Sequence, residues 1–242
     1  MNSDFLDNQT ETFKSLLEIY NINLNEEQIH LLLIFLELVI KKDKEINLTA
    51  IKSYSDGLIL HLLDSLLFTK LLSNVNKQTI LDIGSGGGFP AIPLAITTNN
   101  MIHSLDSVNK KLLAQEEFVD QLDVNNFKTV HSRIEDYGKS HKFEYKYITA
   151  RALAPLVTLV EYASPLLDIQ GELIISKGSQ FNNELVLAKN AIDICGFELK
   201  EQIKFDLPND YGHRELVSLK KVRKSNIALP RQTGKAKKDP LF

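Results

Sequence analysis

The chain has 242 residues, 43% of them hydrophobic and 24% charged, with a single cysteine and a net charge of −3. That length holds one large α/β domain or a domain with an appendage, and Cys195 alone excludes a disulfide framework and a four-ligand zinc site, which suits a reducing compartment. The longest apolar stretch, Ile29–Ile40, is too short and too polar to span a bilayer, and no basic-then-apolar leader opens the sequence, so a soluble cytoplasmic protein with no membrane or obligate protein partner is expected.

Residues 12–72 are rich in Leu and Ile at helical spacing, with no proline and no glycine before Gly57, and predict an N-terminal helical extension over 1–76 packed on the rest. Leu31, Ile34, Phe35, Leu38 and Val39 share one stripe, with Glu37, Lys41 and Lys42 off it, as in an amphipathic helix against a core. From Lys77 the pattern alternates. Strands are expected at 79–83, 101–105, 127–131, 145–150 and 171–176, and the helix after the second strand runs from Asn109 to about Leu122, capped by Ser107 or Asn109. Two further strand-like runs, Phe197–Leu207 and Glu215–Val222, suggest a closing antiparallel hairpin. The core over 77–223 is therefore read as a Rossmann-like, mostly parallel sheet with a reversed edge strand and helices on both faces.

The first of these strands runs into Gly84-Ser-Gly-Gly-Gly-Phe-Pro90, a turn where the backbone can take positive φ and approach a ligand closely. A dinucleotide fingerprint needs a glycine at position 89, which is Phe89, and the phosphate-cradling Gly-Lys-Ser/Thr ending is missing. A cofactor with ribose and adenine but no phosphate, S-adenosylmethionine (SAM), fits better. Asp106 ends the second strand at the spacing of a ribose-binding acid. From Lys220 onward there are eight cations against Asp239 alone, leaving the rest of the chain near −10. This basic tail, taken as residues 224–242, is a candidate contact for a polyanion such as RNA.

Several stretches together resemble the bacterial 16S rRNA guanine-N7 methyltransferases, also known as glucose-inhibited division protein B. They are Asn47-Leu-Thr-Ala-Ile51, His61-Leu-Leu-Asp-Ser-Leu66, Asp82 to Pro90 with Ile92-Pro93, Asp106-Ser107, Ser132-Arg-Ile-Glu135, Thr149-Ala-Arg-Ala152, Lys177-Gly178, and Pro230-Arg231 with Gly234. The resemblance implies a class I SAM-dependent methyltransferase acting on 16S rRNA of the small ribosomal subunit. It places cofactor contacts at Gly84, Phe89, Asp106, Ser107, Val108, Ile134, Glu135 and Arg151. In this reading Ile134 packs on the adenine, Glu135 or nearby backbone bonds its edge, and Arg151 holds the methionine carboxylate or an RNA phosphate. The family usually has alanine at Gly87 and glycine at Ala91, so the loop here is slightly altered.

Guanine N7 offers an in-plane lone pair and no proton, so its methylation needs positioning and no general base; no catalytic residue and no metal are expected. Arg151 is assigned to binding, because a cation near N7 opposes the charge that forms there. His61, Asp64 and Ser65 read equally as a polar helix-to-core contact or as substrate ligands. Asn47 and Thr49 read as cap or turn residues ahead of base contacts, His103 and His131 as structural, Lys177 as an RNA contact or a solvated charge, and Phe89 and Tyr54 as stacking partners for RNA bases. The competing readings are a methyltransferase for a small molecule or protein, and a non-catalytic nucleotide-binding Rossmann protein.

Overall fold

A computed structural model describes residues 3–51 and 53–242; residues 1, 2 and 52 of the expected N-terminal extension lie outside the described residues. Helices α1 (Ser3–Ile19) and α2 (Glu26–Ile46) open the chain. Asn25 and Gln28 close a reciprocal box, each side chain accepting the other's backbone N–H, which sets the start of α2. Asn47 ends it in the left-handed conformation at φ 51°. The buried face of α2 is centred on Leu32, Phe35, Leu36 and Val39, whereas Leu31, Ile34 and Leu38 flank it half-buried. The sequence stripe was therefore displaced by about one residue, because the helix is covered on more than one side.

Helix α3 (Tyr54–Gly57), a π-helical segment (Leu58–Leu63) and α4 (Asp64–Leu66) follow without a break, and α5 (Thr69–Leu72) leads to the sheet. Strand and helix then alternate through β1 (Thr79–Ile83), α6 (Ala91–Thr97), β2 (Met101–Asp106), α7 (Asn109–Gln121), β3 (Phe127–His131), α8 (Ile134–Ser140), β4 (Tyr145–Arg151), α9 (Leu156–Ala163) and β5 (Leu167–Lys177). Helices α10 (Phe181–Leu187) and α11 (Lys189–Cys195), the hairpin of β6 (Phe197–Asp206) and β7 (His213–Lys221), and the short α12 (Lys235–Lys238) complete the chain.

The seven strands lie in the order β3-β2-β1-β4-β5-β7-β6. All pairs up to β4–β5 are parallel, and β7 runs antiparallel to β5 and β6. The reversed strand thus sits one place inside the edge, which β6 forms. That topology matters for the site. Reversal brings the beginning of β7, at His213 and Arg214, to the same end of the sheet as the carboxyl ends of β1, β4 and β5.

Both faces of the sheet are covered, so its strands are apolar in nearly every position. Ile80, Ile102, Ile174 and Leu216 pack under α5 and α6, while Leu81, Ile83, Leu105, Ile148 and Ile175 pack under α9 to α12. The N-terminal helices share one core with α6 and α7 through Phe35, Phe89, Ile92, Ala114 and Phe118.

Candidate functional site

Three glycines of the loop after β1 hold positive φ: Gly84 at 73°, Gly86 at 58° and Gly88 at 92°. At Gly84 a β-carbon would lie 2.4 Å from Leu153 Cδ1, so this position needs glycine for space as well as conformation. The loop is pinned from below. Gln115 of α7 donates to Gly86 O (2.7 Å) and to Ser85 Oγ (3.0 Å), and accepts from Ser104 Oγ (2.5 Å). From the side, Asp106 accepts Gly86 N–H on Oδ2 (3.0 Å) and Val108 N–H on Oδ1 (2.9 Å). Because Asp106 holds the Val108 N–H, α7 begins with Val108 at its cap and without the side-chain cap expected of Ser107 or Asn109. Each Asp106 oxygen keeps a lone pair for a ribose hydroxyl.

Two clefts open on either side of this loop and share Gly84, Gly86, Lys111 and Ala152. The first, about 260 Å³, is lined by Asp106, Ser107, Ile134, Glu135, Leu153, Tyr162 and Lys237. The second, about 460 Å³, is lined by Thr49, His61, Asp64, Phe89, Arg151 and Arg214. The expected cofactor residues therefore divide: Gly84, Asp106, Ser107, Ile134 and Glu135 meet in the first cleft, Phe89 and Arg151 stand in the second, and Val108, 37% exposed, lines neither. The Glu135 side chain is already engaged, Oε1 accepting Gly234 N–H at 2.8 Å. What this turn offers the first cleft is its backbone, whose opening N–H groups have no partner within the helix.

The second cleft is built on the π-helical segment, a distortion often found at functional sites. His61 stacks on Phe89 and is wedged between Thr49 and Arg151. Arg151 only donates, at 3.4 Å to Nδ1, so the imidazole proton sits on Nε2, 2.6 Å from Thr49 Oγ1. Burial and the Arg151 charge push the His61 pKa down to about 3, so the ring is neutral. Asp64, buried, gathers two guanidiniums: Arg151 NH1 at 3.2 Å on Oδ2 and Arg214 Nε at 3.3 Å on Oδ1. Arg151 also donates to Leu60 O (2.9 Å), tying β4 to the N-terminal extension.

Asp82, under the loop and fully buried, takes Thr149 Oγ1–H on Oδ1 at 2.8 Å, while Oδ2 has no hydrogen-bond partner among the described residues. Burial pushes its pKa up to about 7, against the hydrogen bond from Thr149 and the charge of Arg151, which lower it. An orphaned buried carboxylate oxygen and the glycine-lined loop suit a cofactor that brings a cationic α-amino group. Asp106 suits its ribose. SAM carries both features.

Several sequence readings change. Lys177 is an internal brace, donating to Ala154 O (2.8 Å) and Glu184 Oε2 (2.7 Å), and is not a solvated charge. Tyr54 is buried and donates to Leu33 O, so it offers no face to a base. The Phe89 ring is enclosed by Phe35 and His61 and is 5% exposed. His103 pairs with Tyr145, and His131 with Ser107 O beside the first cleft. The basic tail is packed along the domain and is not a free arm: Arg231 bonds the buried Glu161 and Ala236 is buried, while Lys224, Lys235, Lys237 and Lys238 keep exposed side chains; just before it, Lys221 is fully buried against Ser164 and Arg223 pairs with Asp193. Sequence reasoning missed Lys111, Arg214 and Lys237 on the cleft walls; their signal was lysine and arginine among many, without spacing to set them apart. Among the described residues no group of His, Cys, Asp and Glu could hold a metal, and no helix is long and apolar enough to cross a membrane.

The family profile described as rRNA small subunit methyltransferase G matches residues 28–216. The chain belongs to this family. It is 37% identical over 227 residues to ribosomal RNA small subunit methyltransferase G of Alkaliphilus oremlandii, covering 91% of this chain and 94% of that protein. It is 34% identical to the protein of the same name from Leuconostoc citreum, covering 96% of this chain and 98% of the other. Among solved structures, a SAM-dependent methyltransferase from Aquifex aeolicus superposes with a TM-score of 0.52 at 15% identity, over 67% of this chain and 92% of that one. A precorrin-6y C5,15-methyltransferase from Geobacter metallireducens gives 0.51 at 12%, over 66% and 87%. Those two likenesses establish the fold, that of the class I SAM-dependent methyltransferases.

Proposed function

We propose that the protein transfers the methyl group of SAM to N7 of a guanine in 16S rRNA of the small ribosomal subunit, in the cytoplasm. The observation that carries this reading is the second cleft, which adjoins the cleft assigned to the methyl donor across Gly84 and Gly86 and yet, among the described residues, presents no group ready to take a proton. His61 is held neutral with both ring nitrogens engaged, and Asp64 is shared by two guanidiniums. A nucleophile that must lose a proton finds no base there; N7 has none to lose.

SAM supplies an electrophilic methyl on a sulfonium when bound. Asp106 would hold its ribose, Asp82 would face its ammonium, and the α8 turn with Ile134 would take the adenine. The chain's own work is positional. Arg151 and Arg214 offer hydrogen bonds to an RNA phosphate or to the guanine, and Asp64 between them offsets their charge. That arrangement keeps donors near the target while limiting the repulsion of a forming purinium cation. An RNA guanine presented outside a helix suits a pocket of this depth.

The test is incubation of the protein with labelled SAM and small subunits, or naked 16S rRNA, from a strain lacking the modification. Label should map to one guanine and yield 7-methylguanine on hydrolysis. Label absent from RNA would favour a protein or small-molecule acceptor, and label at an exocyclic nitrogen would remove the base-free chemistry.

A further inference from the structure

One wall of the first cleft comes from the far end of the chain. After β7 the chain returns across α9 and α8 as a strap anchored at three points. Arg231 makes a two-pronged pair with the buried Glu161, Ala236 is 1% exposed against α9, and Leu229 and Leu241 pack on the same core. Between these anchors the strap meets the first turn of α8. Thr233 Oγ1 donates to Asp136 Oδ1 at 2.9 Å and Gly234 N–H donates to Glu135 Oε1 at 2.8 Å. Gly234, at φ 84°, makes the turn that aims its N–H, and Lys237 then lines the cleft together with Asp106 and Glu135.

Glu135 is 7% exposed and pairs with no cation among the described residues, so its carboxylate depends on neutral donors, Gly234 N–H and the hydroxyl of Tyr162. A buried acceptor stripped of a donor turns to find another. Glu135 lines the cleft, so a turn of its side chain changes the wall on which a ligand rests.

We propose that residues 231–238 are part of the cofactor site, with Gly234 a positioning residue that acts through Glu135 to hold the α8 turn where the adenine sits. The proposal rests on the reading of the first cleft as the SAM site. It adds a cofactor role to a tail that charge alone reads as a contact for RNA. Coupling is reciprocal: if the strap orders the turn for SAM, SAM orders the strap.

Hydrogen exchange on the full wild-type chain tests this directly. Saturating SAM should slow exchange in 231–238 together with 134–138, and RNA without cofactor should not. Gly234→Pro, which deletes the N–H and, with φ fixed at about −65°, also forbids the turn that aims it, should weaken both SAM and 5′-methylthioadenosine by roughly tenfold or more, because the adenosine seat is what moves. RNA affinity without cofactor, and its dependence on salt, should stay as in wild type. The proposal is overturned if the strap's exchange ignores SAM, or if a folded Gly234→Pro protein binds methylthioadenosine as wild type does. It is also overturned if that variant loses RNA while keeping SAM. A wild-type chain that bound no SAM would remove the cofactor reading itself, a result the exchange and variant comparisons cannot be mistaken for.

Discussion

The imidazole of His61 lies flat on the ring of Phe89, with centroids 4.3 Å apart and planes within 9°. Burial and Arg151 hold its pKa near 3, below the 6.5 of an exposed histidine. The unfolded chain therefore takes the proton first, and the stability tied to neutral His61 is present above pH 6.5 and lost as pH falls from 6.5 toward 3. Between pH 7 and 5 the loss should be about 2 kcal/mol. Urea unfolding at the two pH values measures it. His61→Gln should remove this part of the pH dependence, and an unchanged slope in that variant would show that another group is responsible.

Asp82 titrates in the opposite sense. Its pKa is raised to about 7 by burial, so near neutrality the carboxyl is partly protonated and Oδ2 lacks a partner. A cationic cofactor group arriving beside it favours the carboxylate, and SAM binding at pH 7 should release up to about half a proton. Calorimetry in buffers of different ionisation enthalpy reads that number. Asp82→Asn should bind SAM more weakly and release none; equal release from the variant would place the titrating group elsewhere.

Much of this architecture was legible because its signals are local. The Gly84–Pro90 loop and Asp106 follow from glycine conformational freedom and strand-end spacing, and alternation of apolar runs fixed the parallel strands. Arg214 was not legible. Its role depends on β7 being reversed and threaded between β5 and β6, a long-range pairing that no residue near Arg214 encodes. The burial of Lys221 and Arg231 was hidden for a related reason. Net charge counts both as solvated cations, whereas Ser164 and Glu161, far away in sequence, take them into the core.

The loop glycines should separate by geometry. Gly84→Ala places a β-carbon 2.4 Å from Leu153 Cδ1 at φ 73°, and should cost SAM affinity more than tenfold with about 1–2 kcal/mol of stability. Gly87→Ala meets Leu48 Cβ at 3.5 Å, an ordinary contact, and should bind SAM within about twofold of wild type. Gly86→Asp is the informative case. At Gly86 nothing lies closer than 4.0 Å to a β-carbon and φ is 58°, which aspartate tolerates, so the chain should fold. Its carboxylate would then crowd Asp106 in the cleft. Unaltered SAM binding by calorimetry in a folded Gly86→Asp protein would contradict the cofactor assignment.

Arg214 should serve RNA and not SAM. Its Nε is on Asp64 and NH1 on His213 O, which leaves NH2 and part of NH1 facing the second cleft. Arg214→Gln should raise the KM for small-subunit RNA while SAM affinity holds. If it contacts one phosphate, the log–log salt slope of RNA binding should flatten by about 0.7. A slope identical to wild type, with KM unchanged, would return Arg214 to a role in bracing Asp64.

Arg231 presents a sharper choice between grip and brace. Its guanidinium meets Glu161 through Nε at 2.7 Å and NH2 at 2.5 Å, with the carboxylate side chain only 3% exposed. Removing one partner of such a pair strands the other, at a cost of about 3–5 kcal/mol. Arg231→Met should therefore lower the melting temperature strongly, and adding Glu161→Gln should recover part of the loss by removing the stranded charge. An RNA-gripping arginine would behave otherwise: the single variant would melt like wild type and lose affinity for RNA with a flatter salt slope. The double variant decides between the two, since recovery of stability on neutralising Glu161 has no counterpart in a phosphate contact.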